Sequence, residues 1–199
     1  MNKQLIANKT GMILLAASIT GASVMTTGAV SAHLKTRYQQ HGEVRTSATA
    51  KVYKIEEAAL QFEVPSGWKV EKGKHGQVTV SKSEGATSIG VSMAPLGTDT
   101  ANFKPEALFK LFSEGALKDV KKDLGDSFKS DEPTQTSENG ISEMIQTFTA
   151  KDNGVEMQGM VLVLYTDNPV GVFAYGNKEV SPTLAAEIQQ VLRNFKRTE

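Results

Sequence analysis

The chain has 199 residues, no cysteine, and 22 basic against 22 acidic side chains. The missing cysteine excludes thiolate nucleophiles, disulfide frameworks, structural zinc fingers and iron–sulfur clusters, and zero formal charge argues against a nucleic-acid binder, whose footprint is normally basic. Hydrophobic residues at 39% and charged residues at 22% lie near the globular average, which argues against wholesale disorder.

The first 32 residues hold Lys3 and Lys9 and no acid, and no charge falls between Gly11 and Ala32. A short basic start, the apolar run from Met12 to Ala17 and the small or compact residues Val30-Ser31-Ala32 form a secretory signal peptide over 1–32, with cleavage expected between Ala32 and His33. The competing reading is an uncleaved membrane anchor through 11–32, since these 22 uncharged residues can cross a hydrocarbon core of about 30 Å. Thr20, Gly21, Ser23, Thr26, Thr27 and Gly28 dilute the second half and favour cleavage. An exported protein of the periplasm or cell envelope is expected, or, if the leader stays, a membrane-anchored domain outside the cytoplasm. Residues 33–50 are poor in aliphatic side chains and read as a flexible linker. The remaining 51–199 form the globular domain, long enough to bury roughly 68–70% of its unfolded surface.

Within that domain Leu60, Phe62 and Val64 alternate with Gln61 and Glu63, which predicts a strand ended by Pro65-Ser66-Gly67. Trp68 and Val70 resume the alternation, and Lys72–Gly76 turns into a strand over Gln77–Ser81. Ser83-Glu84-Gly85 is read as a turn into Thr87–Ala94, completing an antiparallel meander. Pro95 and residues 97–102 break the sheet before a helix opened by Pro105 and Glu106. Its expected buried face is Phe103, Ala107, Leu108, Leu111, Phe112 and Leu117, with Phe109 off the stripe as a candidate exposed contact. The helix is expected to fray through Lys118–Lys122 before Gly125, a candidate left-handed cap.

Strands over Ile141–Ala150 and Val155–Thr166 flank Asn153-Gly154, a strong hairpin turn. The run Met160–Tyr165 is apolar on both faces and predicts a central strand covered on both sides. Asp167-Asn168-Pro169 turns into Val170–Tyr175. Ser181 as N-cap and Pro182 then open a closing helix that lines up Leu184, Ile188, Val191, Leu192 and Phe195. The fold class expected is α+β, an antiparallel β-sheet flanked by helices.

Reactive constellations are sparse. His33 and His41 fall in the linker and His75 in a glycine-flanked turn, and no His pair has helical metal-ligand spacing. Neither a G-x-S-x-G elbow nor a glycine-rich phosphate loop occurs. Asp99, Glu106, Asp131 and Glu132 are the carboxylates that a hydrolase would have to pair, and they read as solvated surface. The acidic stretch with Asp123 and Asp126 lacks the order of a calcium loop. Lys69, Lys72, Lys74 and Lys82 read as charged hairpin tips, and Met144, Met157 and Met160 as core filler. No catalytic, cofactor or metal residue is assigned.

The segment Leu60-Gln61-Phe62-Glu63-Val64-Pro65-Ser66-Gly67-Trp68 resembles the "apolar-x-F-x-V-P-x-G-W" opening of PsbP-like domains. That family includes the extrinsic PsbP protein of photosystem II, a Ran-binding import factor and uncharacterised exported bacterial proteins. The resemblance covers about residues 55–199 and implies a PsbP-like α/β/α sandwich that acts by binding, with Phe62, Pro65, Gly67 and Trp68 in structural roles. The function expected is therefore a non-catalytic exported protein that binds another protein or supports an assembly in the cell envelope. It binds no nucleic acid and meets the membrane only through residues 11–32, if these are uncleaved. A carrier of a small apolar ligand is the alternative, and a carboxylate-based hydrolase the lesser one.

Overall fold

The computed structural model describes residues 50–198, so the expectations for the signal peptide and for linker residues 33–49 lie outside the described residues. Its strands are β1 (Lys51–Ile55), β2 (Leu60–Val64), β3 (Lys69–Lys72), β4 (Val78–Glu84) and β5 (Thr87–Pro95). Helix α1 (Pro105–Leu124) follows, then β6 (Lys129–Ser130), β7 (Thr134–Glu138), β8 (Ile141–Asp152), β9 (Val155–Tyr165) and β10 (Val170–Asn177). Helix α2 (Pro182–Arg193) and β11 (Lys196–Arg197) complete the order.

The strands form two antiparallel sheets. The larger has eight, in the order β3-β4-β5-β10-β9-β8-β6, with β7 on the other end of β8; the smaller is β1-β2-β11. Period-two alternation decides what each face of the large sheet meets. Val80, Val91, Leu162, Leu164 and Val172 point into one core with Phe62 of the small sheet and Leu184, Ile188 and Val191 of α2. Val161, Val163 and Phe173, from the alternate positions, point into a second core under Leu108, Phe109 and Leu117 of α1. This is the expected α+β sandwich, with one addition: the layer opposite α1 is shared between α2 and the small sheet. Strand β9 lies between β10 and β8 and feeds both cores, so the doubly apolar run is a central strand.

Sequence order misled at one junction. Strand β2 does not continue into the meander with β3; it pairs with β1 and β11 in the other sheet. The turn at Ser66-Gly67, with Gly67 at φ 86°, therefore carries the chain from one sheet to the next. Likewise Ser83 and Glu84 belong to β4, and the turn into β5 starts at Gly85.

Helix α1 corrects the expected register. Its buried positions are Leu108, Phe109, Ser113, Ala116, Leu117 and Val120. Phe109 is 2% exposed, whereas Phe103 and Leu111 are 49% and 52% exposed. Ala107 is exposed too, and Phe112 is half-buried. Two apolar stripes compete on this helix, and the sheet takes the one that continues through Ala116 and Val120 to the end; the other stops at Leu111. For the same reason the helix does not fray at Lys118 but runs to Leu124. Gly125 ends it with φ 51° and ψ −136°, a positive-φ stop outside the left-handed helical region.

Two polar devices fix the ends of the helices. Ser181 caps α2, its Oγ accepting from Leu184 N at 3.1 Å. Tyr165 Oη donates to Pro105 O at 2.7 Å and pins the start of α1 to β9.

Candidate functional site

The carboxylates considered for acid–base work are dispersed. Asp99 lies in the short helical turn Thr98–Asn102, Glu106 in the first turn of α1, and Asp131 and Glu132 between β6 and β7; all four are exposed. Asp131 accepts from the Thr147 hydroxyl, which fastens the β6 edge to β8. His75 sits exposed in its turn at φ 54°. Among the described residues no three His, Asp or Glu side chains converge as a cation site, and no described helix is long and apolar enough to cross a membrane. Of the methionines, Met93, Met144, Met157 and Met160 are buried.

Ionisable groups converge at two places: exposed Glu156 pairs with both Lys151 and Lys178, and a more buried cluster meets around Trp68. Phe62 is fully buried in the small sheet, its ring centroid 5.8 Å from Phe195 and 6.1 Å from Tyr53. Pro65 is buried, Gly67 is exposed in the turn, and Trp68 is buried where β3 begins. The indole Nε1 donates to Glu187 Oε2 of α2 at 2.8 Å, and Lys82 Nζ of β4 donates to the same oxygen at 2.6 Å. Lys82 also approaches Glu84 at 3.4 Å, and Ser181 Oγ donates to Glu84 Oε2 at 2.8 Å. One half-buried carboxylate thus joins the Phe62–Trp68 segment, the large sheet and α2.

The electrostatics of this cluster suit a strut. The hydrogen bond to Glu187 raises the Lys82 pKa above its ordinary value, desolvation opposing it. An amine held protonated is neither nucleophile nor Schiff-base former. The lysine cluster expected at the hairpin tips is divided by the pleat: Lys82 turns towards α2, while Lys69 lies on the opposite face, paired with Glu71 at 2.7 Å. A signal for Lys82 was present, because it continues the inward alternation Val78, Val80.

A second feature is the solvent side of α1. Phe103 lies in the extended segment just before α1, Ala107 and Leu111 stand one turn apart on the helix, and all three are exposed, with Lys104 and Lys110 beside them. A large apolar side chain half in water is uninformative singly, but Phe103 and Leu111 exposed beside Ala107 at one end of a helix form an apolar patch of the kind a contact surface uses.

No family model matches the chain, and no curated protein matches its sequence. Solved structures similar to it include the cyanobacterial PsbP protein (CyanoP) of Synechocystis sp. PCC 6803, 14% identical, over 79% of this chain and 98% of that one, with a TM-score of 0.49. LpqN of Mycobacterium tuberculosis, described as involved in cell envelope biogenesis, is 11% identical over 76% of this chain and 91% of its own, with a TM-score of 0.46. A protein of unknown function from Pseudomonas aeruginosa is 14% identical over 73% and 95%, with a TM-score of 0.41. A PsbP protein, the family that Leu60–Trp68 resembles, is thus among the structures to which this chain is similar. No residue role passes from those proteins to this chain.

Proposed function

We propose that this is a non-catalytic exported protein of the cell envelope that docks another protein on the outer face of α1. The observation that carries the reading is the exposed apolar patch at the start of α1, Phe103 just before the helix with Ala107 and Leu111 on it, which the fold leaves in water although its core takes Leu108 and Phe109 beside it. Export is supported by the basic start, apolar run and Val30-Ser31-Ala32 of the leader. The converging ionisable groups Lys82, Glu84 and Glu187 support a scaffold, since each is spent on holding β4 against α2.

The test places a photo-crosslinking residue at position 111 and, as control, at 155, where Val155 is also exposed at 47%. Cross-linking in the native cells is followed by identification of the adducts and N-terminal sequencing of the envelope fraction. A discrete partner captured from 111 and not from 155, on a chain that starts at His33, supports the reading. Equal capture from both positions, or recovery of the full chain in the cytoplasm, overturns it.

A further inference from the structure

Helix α1 covers only half of the sheet face it packs on. It lies over β8, β9 and β10, where Phe148, Val161, Val163 and Phe173 form its core. On β4 and β5 the same face carries Ser81, Ser83, Ser88 and Gly90. The register sets Ser81, Gly90, Tyr175 and Gly159 side by side across four strands, so Tyr175 stands between two glycines. Its ring packs towards the α1 core. On its other side a Cβ added at Gly90 would meet nothing within 4 Å. A notch without side chains therefore lies between Tyr175 and Ser81. Among the described residues, the hydroxyls of Ser81, Ser83, Ser88 and Tyr175 have no hydrogen-bond partner.

We propose that this notch binds a neutral glycan chain, with a sugar ring seated over Gly90 against Tyr175. Three observations select that chemistry. Strands β4, β5 and β10 are paired on both sides, so their backbone has no ladder left for a peptide and recognition falls to side chains. Those side chains are hydroxyls, which donate and accept equally well and so match a polyol. Lys69 and Glu71 on the same face pair with each other at 2.7 Å, and the one further charge that acts on Tyr175 is the carboxylate of Asp152, so nothing beside the notch attracts a phosphate or a polyanion. Tyr175 supplies the apolar wall for the C–H face of a sugar ring.

The experiment is amide NMR of the full chain titrated separately with maltohexaose, cellohexaose and chitohexaose. Saturable shifts confined to Ser81, Ser83, Ser88, Gly90 and Tyr175 and their neighbours are expected with at least one, with a Kd of about 1 mM. Gly90→Val fills the notch at a strand position with open space and an ordinary φ, so the variant should fold and weaken binding about tenfold or more; Tyr175→Leu should do the same. Phe103→Ser should leave sugar binding unchanged, which separates this face from the docking patch at the start of α1. The proposal is overturned by flat titrations with all three sugars, by shifts centred elsewhere, or by a folded Gly90→Val that binds as before.

Discussion

Trp68 and Glu187 lie 119 residues apart in the chain, yet the indole of one is bonded to the carboxylate of the other at 2.8 Å, across the boundary between sheet and helix. Because Lys82 uses the same oxygen, removing the carboxylate strands two donors at once. Glu187→Ala should lower stability by about 1–3 kcal/mol, and Glu187→Gln, which keeps an acceptor for the indole, should lower it less. Urea unfolding followed by fluorescence reads this directly, since Trp68 is the only tryptophan, and its emission in folded Glu187→Ala should shift to the red.

Alkaline pH should weaken the fold through three residues. The Lys82 pKa is raised above 10.5 in the folded protein, so its contribution is complete below that value and is lost as pH climbs through the folded value. Burial pushes Tyr165 and Tyr175 from 10.0 up to about 12, with Glu106 and Asp152 respectively adding to it. Their unfolded forms ionise first, so stability should fall between about pH 10 and 12. Urea midpoints across that window should drop, and Tyr175→Phe should flatten the slope by up to one proton without changing the neutral-pH midpoint by much.

The register of α1 can be tested by a pair of truncations. Phe109→Ala removes a ring from the core under the helix and should cost about 3–5 kcal/mol. Leu111→Ala removes a side chain from water and should change stability by no more than about 0.5 kcal/mol. Comparable losses at both sites in thermal unfolding would restore the register read from the sequence.

Gly171 of β10 lies directly beneath Phe112, and a Cβ there would overlap the ring. Gly171→Ala should destabilise by about 1–3 kcal/mol through overpacking. Combined with Phe112→Leu it should cost less than the sum of the two changes, because the second makes room for the first. A double-mutant cycle from denaturant curves measures the difference.

What the sequence made legible divides along physical lines. Strands β8 and β9 were plain because Asn153-Gly154, at φ 49° and 84°, is a turn whose geometry few other dipeptides take so readily. Asn139-Gly140 is the same signal, at φ 50° and 75°, and marks the hairpin that brings in β7. Periodicity does not reveal that hairpin, because β7, Thr134–Glu138, has no apolar side chain to alternate. The α1 stripe failed where Phe and Leu fill both candidate faces and only the partner sheet can choose between them. The Lys82–Glu187–Trp68 cluster was out of reach as a contact, since no local pattern says which helix a strand lysine will meet. The Gly90 notch depends on the order of strands β4, β5, β10 and β9, which periodicity does not specify.

Strand β11 pairs with β2 through Lys196 with Gln61 and Arg197 with Leu60, and Thr198 N donates to Ala59 O at 2.9 Å. Some of the earliest-made described segments are thus sealed by the latest. A nascent chain emerging from the ribosome carries β2 with one flank bare until residues 196–198 arrive, and a bare strand recruits strangers. Loss of residues 196–198 would therefore be felt less as missing length than as sticky, self-associating protein.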